Sequence, residues 1–511
     1  MGILDNLKDK VFSNGSTKGF YFGATEAEAE NNGDLSLPNY FKDYLEVLGE
    51  MEIGKFLFTG RKGVGKSAIA KFIKDTSDVS NNSDAALIRI SDFELERIIQ
   101  QDELKSKKEY VILEWLILVN LVKLIIKNGG GIYTKEYGKL KDFIDRNSGI
   151  VNIDKYQIDS VSLQNGGEVN FNVLSQVFGG VLKKYFDVKT SKAPFYKLIP
   201  PLREIVEIIL NYDVNKTSEF WILFDDLDIN YSIQNESDND KIIELIRLSK
   251  KYNNDIFKNN NAKILMFLRD DIRQNIVAKY ADSAKLFSSY EIYINWYNNE
   301  LYKENENKLP LKKLVNKRLE LNFIKKNIKF DIKDPWYSLF ERENYNPNIT
   351  PYKSSFKYIA DFTFYRPRDF ITFLSIIGNN NYTFPIDKKT VKLILAKYIQ
   401  INILEIKSEL SLYFNETEKS FIFENILLYL ADNSNVKYND LLEKIEEYKF
   451  HNSSKEVLEI LNRYSLIIHK DEDGLLFFNY RENPEIDRLD KETTTFSLPK
   501  CIYHYYKRIN N

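Results

Sequence analysis

This 511-residue chain has little cysteine, little histidine and no excess of either charge. The lone Cys501 excludes an intramolecular disulfide framework and a thiolate-rich zinc site. Three histidines, His451, His469 and His504, are too few for a His-built metal centre. Lys and Arg number 72 against 74 Asp and Glu, a net charge of −2, which argues against a general basic coat for nucleic acid and leaves room for a local patch. An export signal is not expected, because Met1 to Lys10 is charged and lacks an apolar core. Gly2 alone is a weak myristoylation signal, since Asn6 stands where Ser or Thr is needed. The most apolar stretch, Tyr110 to Ile126 (YVILEWLILVNLVKLII), contains Glu114, Asn120 and Lys123 and reads as a buried helix, not a membrane span. Aromatics are abundant: 33 Tyr, 34 Phe and 4 Trp, gathered in apolar runs such as Phe220 to Phe224 and Phe362 to Tyr365, where they read as core filling and not as a base-stacking platform. With 43% hydrophobic and 29% charged residues, the composition is that of a soluble, cytoplasmic globular protein, and the length suggests roughly three domains.

Strand signals at Ile53 to Thr59, Ala86 to Ile90, Phe220 to Phe224, Ala262 to Leu268 and Tyr290 to Ile294 alternate with helical patterns, which predicts an α/β fold with a parallel sheet flanked by helices. A long, mostly helical insertion occupies about 95–215, with a polar stretch from Val151 to Asn170. The pattern then turns helical at Pro310 to Phe323, Lys353 to Phe362, Pro367 to Ile377 and Lys388 to Ser411. Three further helices, Glu418 to Leu430, Tyr438 to Tyr448 and Ser454 to Arg463, precede two short strands, Leu466 to His469 and Leu475 to Tyr480, around a charged turn ending in Gly474. Three helices and a hairpin are the order of a winged helix. The expected organisation is a core over 1–295, an all-α lid over 296–411 and a winged-helix domain with its tail over 412–511.

Gly60-Arg61-Lys62-Gly63-Val64-Gly65-Lys66-Ser67 fits G-x-x-x-x-G-K-[ST] in full, between a strand and the helix that opens with Ala68. Glycines let such a loop wrap so that its backbone N–H groups converge on phosphates at a helix start. Lys66 is expected on the β- and γ-phosphates and the Ser67 hydroxyl on Mg²⁺. Five bulky apolar residues, Phe220 to Phe224, run into Asp225-Asp226-Leu227-Asp228. Asp225 is expected to hold Mg²⁺ through its water shell, and Asp226 to orient or deprotonate the attacking water. Asp226 is one methylene shorter than the Glu common at such a position, which predicts slow hydrolysis. Asp228 serves either the Mg²⁺ waters or the following loop as a cap. Arg269, after the fourth strand, is a candidate γ-phosphate sensor; the alternative is an ion pair with Asp270 or Asp271. Arg368 and, second, Arg366 lie at a helix start with Pro367 in its first turn, and either presses on nucleotide from a lid or forms a structural salt bridge.

Taken together, these motifs resemble the additional-strand P-loop ATPases, in particular their STAND, KAP and ORC-like members. The likeness is greatest to the bacterial Sll1717-type P-loop ATPase family, through Phe22-Gly23-Ala24-Thr25-Glu26-Ala27-Glu28, Gly60-Arg61-Lys62-Gly63, Asp225-Asp226-Leu227-Asp228, Phe267-Leu268-Arg269-Asp270-Asp271-Ile272 and Arg366-Pro367-Arg368-Asp369. The resemblance covers most of the chain. The long separation of Lys66 from Asp225 departs from ordinary AAA+ enzymes and reflects the helical insertion. It implies ATP and Mg²⁺ as ligands, and Asn215-Lys216-Thr217-Ser218 agrees by holding Ser where a guanine-reading Asp is needed. It also implies a nucleotide-dependent switch in bacterial antiphage defence, acting with a partner effector or as a homo-oligomer.

The alternative is a nucleotide-loaded DNA-binding or scaffold protein with negligible hydrolysis. Tyr438 to Arg463 carries six acids and four bases, which favours an interaction or regulatory winged helix over one that tracks phosphates. Lys308 to Phe330 is the exception to neutrality, with Lys308, Lys312, Lys313, Lys317, Arg318, Lys325, Lys326 and Lys329 against Glu320. It is either a solvated basic face or a contact for nucleic acid or another anionic partner. No nuclease, protease or deaminase constellation stands out.

Overall fold

The computed structural model describes residues 15–30, 37–89, 108–128, 134–148, 168–212, 217–228, 231, 236–257, 261–342, 354–470, 476–478 and 494–507. The Met1 to Lys10 segment, most of the polar insert after Val151, Asn215-Lys216 and the turn 471–475 lie outside the described residues. The described residues form two compact units: those within 46–62 and 66–294, and those within 1–45, 63–65 and 295–511. The described residues up to Leu45, expected with the core, thus group with those after Asn295, and the described residues of the expected lid and winged helix share one unit.

The first unit is built on five strands, β1 (Leu57–Gly60), β2 (Ser83–Arg89), β3 (Glu219–Asp225), β4 (Ala262–Arg269) and β5 (Glu291–Tyr293), all parallel, in the spatial order β2-β3-β4-β1-β5. Near-continuous apolar runs suit strands covered on both faces: Phe56, Leu57, Phe58, Ile264, Leu265 and Met266 are fully buried. β1 begins later than the apolar run suggests, because Ile53 is exposed and Gly54 turns the chain at φ +96°. Pairing aligns Gly60 with Arg269 and Arg89 with Asp225, so one edge of the sheet collects the residues of interest.

Helix α1 (Lys66–Val79) follows the glycine loop. Helix α2 (Lys108–Asn128) contains the Tyr110 to Ile126 run and packs on α3 (Phe195–Leu210), α4 (Glu236–Lys251), β2 and β3. Its polar residues are accommodated inside the protein: Glu114 accepts from Arg203 Nε and from the Tyr252 hydroxyl, each at 2.9 Å, and Asn120 Nδ2 donates to the Leu116 carbonyl. Among the described residues no helix is long and apolar enough to cross a membrane. Helix α5 (Asp270–Lys279) starts where β4 ends.

In the second unit, helix α6 (Pro310–Lys325) carries a strap made of the described residues up to Glu30. Asn322 brackets the Tyr21 backbone, accepting from its N–H at 2.7 Å and donating to its carbonyl at 2.6 Å. Arg318, buried, pairs with Glu30 at 3.2 Å and donates to the Phe22 carbonyl. Gly23 sits at φ +103°, and a Cβ there would meet Arg318 Nη1 at 1.8 Å, so this crossing requires glycine. The aromatic surplus fills this core: Trp336 stacks on Phe340 with centroids 4.2 Å apart, and Phe356 stacks on Phe370.

Helices α7 (Pro367–Gly378) and α8 (Lys388–Glu409) follow. Beyond them, helical turns at Glu416–Phe421 and Leu427–Asp432 lead to β6 (Val436–Lys437), α9 (Tyr438–Glu446), α10 (Ser454–Arg463), β7 (Ile468–Lys470), β8 (Leu476–Phe477), β9 (Thr495–Ser497) and α11 (Lys500–Lys507). Their antiparallel sheet has the order β6-β9-β7-β8. The expected hairpin is β7-β8; β6, β9 and α11 had no strong local signal.

The basic segment is not a single solvated face. Lys312 is fully buried and bonds Glu306 at 2.7 Å and Asp334 at 2.9 Å, Arg318 is buried against Glu30, and Lys317 faces Glu320 at 3.3 Å.

Candidate functional site

At the edge where β1 ends, Gly60 to Ser67 turns into the first turn of α1. Gly63 (φ +82°) and Gly65 (φ +100°) adopt the left-handed conformations that side chains resist, which is why glycine stands at both. Lys66, with only 9% of its surface exposed, curls back to donate to the carbonyls of Gly60 at 2.8 Å and Arg61 at 3.1 Å. Burial pushes its ammonium pKa down to about 8, helped by the neighbouring Arg269 and opposed by Asp228, Asp225 and Asp271. Ser67 and Ala68 occupy the same first turn, both half-buried. Lys62 is half-buried, and Arg61 lies close enough to Asp270 and Tyr293 to influence both electrostatically.

Asp225, the last residue of β3, is buried and takes a hydrogen bond from the Ser67 side chain. Its Oδ2 is buried without a partner. Burial, and then the adjacent Asp226 carboxylate, raise Asp225 to about 6. Asp226 has φ +53°, an uncommon conformation for a residue with a side chain, and its Oδ2 lies 3.1 Å from Arg89 Nε at the end of β2. Arg269 bridges two acids, Asp228 through Nη1 at 2.9 Å and Asp271 through Nε at 3.1 Å and Nη2 at 2.5 Å. The ion-pair alternative therefore holds for Asp271 and adds Asp228. Asp270 instead accepts from Gln274 at 2.8 Å and leaves Oδ1 buried and unpartnered. Burial is the leading cause of its raised pKa.

In the other unit, which includes Gly63 to Gly65, Arg368 lies against Gly63. Its N–H donates to the Gly63 carbonyl and its Nε to the Thr25 carbonyl, both at 3.3 Å. A Cβ on Gly63 would lie 3.0 Å from Arg368 Cβ. The Trp296 indole N–H, buried, donates to the Val64 carbonyl at 2.8 Å. Arg366 is occupied differently: it is buried, pairs with Asp369 at 2.9 Å and faces Glu409 at 3.7 Å. Asp369 in turn accepts the Arg366 N–H at the start of α7. Arg366 thus has the structural salt bridge of the two roles weighed for it.

These residues fit a phosphate and a divalent cation. A buried ammonium bonded to loop carbonyls can exchange them for phosphate oxygens. An orphaned carboxylate oxygen beside a serine hydroxyl suits a hard cation that keeps most of its waters. Among the described residues no cluster of three or more His, Cys, Asp or Glu forms a dedicated metal cage. Lys66, Ser67, Asp225, Asp226, Asp228 and Arg269 are announced by local motifs. Arg89 and Trp296 are not: one is placed by strand pairing and the other by a contact distant in sequence.

The chain matches no protein-family model and no curated protein.

Proposed function

We infer that the chain binds Mg·ATP at the Gly60–Ser67 loop, hydrolyses it slowly and uses it as a nucleotide-dependent switch. The observation that carries this reading is the arrangement at the sheet edge: the buried Lys66 ammonium on the loop carbonyls, with Ser67 bonded to Asp225 and Asp225 Oδ2 unpartnered. The strand order supports it, since β4 lies between the loop strand β1 and the acid strand β3, as an additional-strand P-loop sheet requires.

In this reading the loop N–H groups and the start of α1 bind the phosphates, and Lys66 leaves its carbonyls for the β- and γ-oxygens. Ser67, and Asp225 through the water shell, would hold Mg²⁺, which would supply charge neutralisation at the phosphates. Asp226 orients the attacking water and takes its proton. Arg269, already fixed between Asp228 and Asp271, presents its charge towards the γ-phosphate, and Arg368 responds from its contact with Gly63. The α-helical segments after Asn295 act as lid, and α9, α10 and the β7-β8 hairpin act as a winged helix that engages a protein partner. On the family resemblance, the reading extends to a switch in the bacterial cytoplasm that acts in defence against phage with an effector chain.

Phosphate release and nucleotide binding by the full chain, with and without Mg²⁺, test the reading. Turnover and binding both lost in Lys66→Ala are expected. Turnover no higher than that control under every condition would remove hydrolysis, and unchanged binding would remove the site.

A further inference from the structure

Once Lys312, Lys317 and Arg318 are matched by acids, the basic segment is left with a smaller, sharper feature at the carboxyl end of α6. Lys325, Lys326 and Lys329 are exposed there, and Lys333 is exposed on the following turn. Lys18, also exposed, lies beside them, because Lys326 Nζ comes within 3.1 Å of where a Cβ on Gly19 would stand. Asn327, in the left-handed conformation, and Ile328, whose N–H closes onto the Phe323 carbonyl, fold the segment back against the helix end. The acids nearby are committed elsewhere: Asp331 to Arg342, Asp334 to Lys312 and Glu320 to Lys317. In a chain of net charge −2, five neighbouring lysines with no ion pair among the described residues form a distinct local excess.

We propose that Lys18, Lys325, Lys326, Lys329 and Lys333 form a docking surface for the phosphate backbone of duplex nucleic acid. The residue types decide among polyanions. Protein interfaces favour Arg and aromatic residues and are depleted of Lys, and this patch has neither Arg nor an exposed aromatic ring. Unpaired strands are held by bases stacking on aromatic rings; the nearest rings, Phe323 and Phe330, are stacked on each other with centroids 5.2 Å apart. A lipid surface is held most firmly where basic groups flank a broad apolar face. Here only Ile324 and Ile332, 55% and 78% exposed, interrupt the lysines. Compact ammonium groups on flexible stems suit a regular row of phosphates and read no sequence. The surface is independent of the nucleotide site and its test needs no ATP.

The test is fluorescence anisotropy of a labelled duplex of arbitrary sequence with the full chain, without nucleotide, across a salt series. Five phosphate contacts predict a slope of log K against log salt of about −4.5. The triple variant Lys325→Gln/Lys326→Gln/Lys329→Gln is expected to flatten it by about 2.7 and to weaken binding at least tenfold at roughly 0.1 M salt. Lys308→Gln/Lys313→Gln, exposed at the opposite end of α6, leaves both unchanged. Failure to bind duplex, a triple variant with wild-type affinity and slope, or preference for a single strand of equal length overturns the proposal. So does binding to phosphatidylserine vesicles in place of duplex.

Discussion

Arg89 Nε stands 3.1 Å from Asp226 Oδ2, across two strands whose last paired residues are Arg89 and Asp225. The pair holds Asp226 while its backbone is in the left-handed region, at φ +53°. A carboxylate turned towards a guanidinium is not free to orient water or to accept its proton, so Arg89 restrains the candidate base.

From this pair follows the first prediction. Arg89→Gln keeps a polar side chain at the strand end and removes the charge. Basal phosphate release is expected to rise about threefold to tenfold with little change in ATP affinity, whereas Asp226→Asn lowers turnover by roughly 10²-fold or more, as loss of general-base assistance does. A fall in turnover in Arg89→Gln would show that the arginine supports the reaction and does not restrain it.

Asp225 gives a prediction in pH. Its ordinary carboxyl value, 3.8, is raised in the fold to about 6, so the folded state prefers the protonated form. Stability contributed by the neutral group is present at low pH and is lost as pH rises between these values. Asp225→Asn, neutral throughout, is therefore expected to melt at a higher temperature than the parent above about pH 6, in the absence of ligand. The advantage is on the order of 1–3 kcal/mol and disappears below about pH 4. Mg²⁺ binding has the opposite dependence, because it needs the carboxylate. The Mg²⁺-dependent rise in ATP affinity of the parent should fade as pH drops through about 6 and be absent from Asp225→Asn. Thermal melts and nucleotide titrations over pH 4 to 8 check both halves.

Trp296 donates to Val64 at the centre of the loop, and Trp296→Phe deletes that donor while keeping most of the aromatic bulk. Leaving the buried Val64 carbonyl unpaired loosens the loop before it meets phosphate. KM for ATP is expected to rise about fivefold to tenfold, with kcat within twofold. An equal fall in kcat at unchanged KM would place Trp296 in the chemical step.

What could be read from the sequence was local. Gly60 to Ser67 and Asp225 to Asp228 are contiguous, and strand–helix alternation was enough to predict the parallel sheet. What could not be read was set by tertiary placement. Nothing in Lys308 to Lys329 distinguishes Lys312, buried between Glu306 and Asp334, from Lys313, which is exposed one residue later. Arg89 resembled any polar end of a strand until the register set it next to Asp225. The strap around Gly23 had a recognisable motif, but its partners Arg318 and Asn322 lie some 300 positions away. Strand β1 was over-extended for a simpler reason: Ile53 is apolar and exposed, a pattern that composition cannot distinguish from burial.

Arg366 and Arg368, two residues apart on α7, provide the last test, because their surroundings assign them different work. Arg366 is buried, and the Asp369 and Glu409 charges hold its guanidinium above its ordinary pKa in spite of that burial. Removing it leaves two acids buried without their cation, which costs about 3–5 kcal/mol. Arg366→Ala is therefore expected to unfold at a markedly lower denaturant concentration. Arg368 is only partly buried and is bonded to the carbonyls of Gly63 and Thr25. Arg368→Ala should lose less than about 1 kcal/mol of stability, as partly exposed polar contacts do. It should instead bind ATP about tenfold more weakly, the loss of one charge-assisted contact. Urea unfolding and nucleotide titration on both variants separate the two roles. If Arg368→Ala bound ATP like the parent, Arg368 would have no part in nucleotide sensing, and a folded, stable Arg366→Ala with weakened ATP binding would exchange the two assignments.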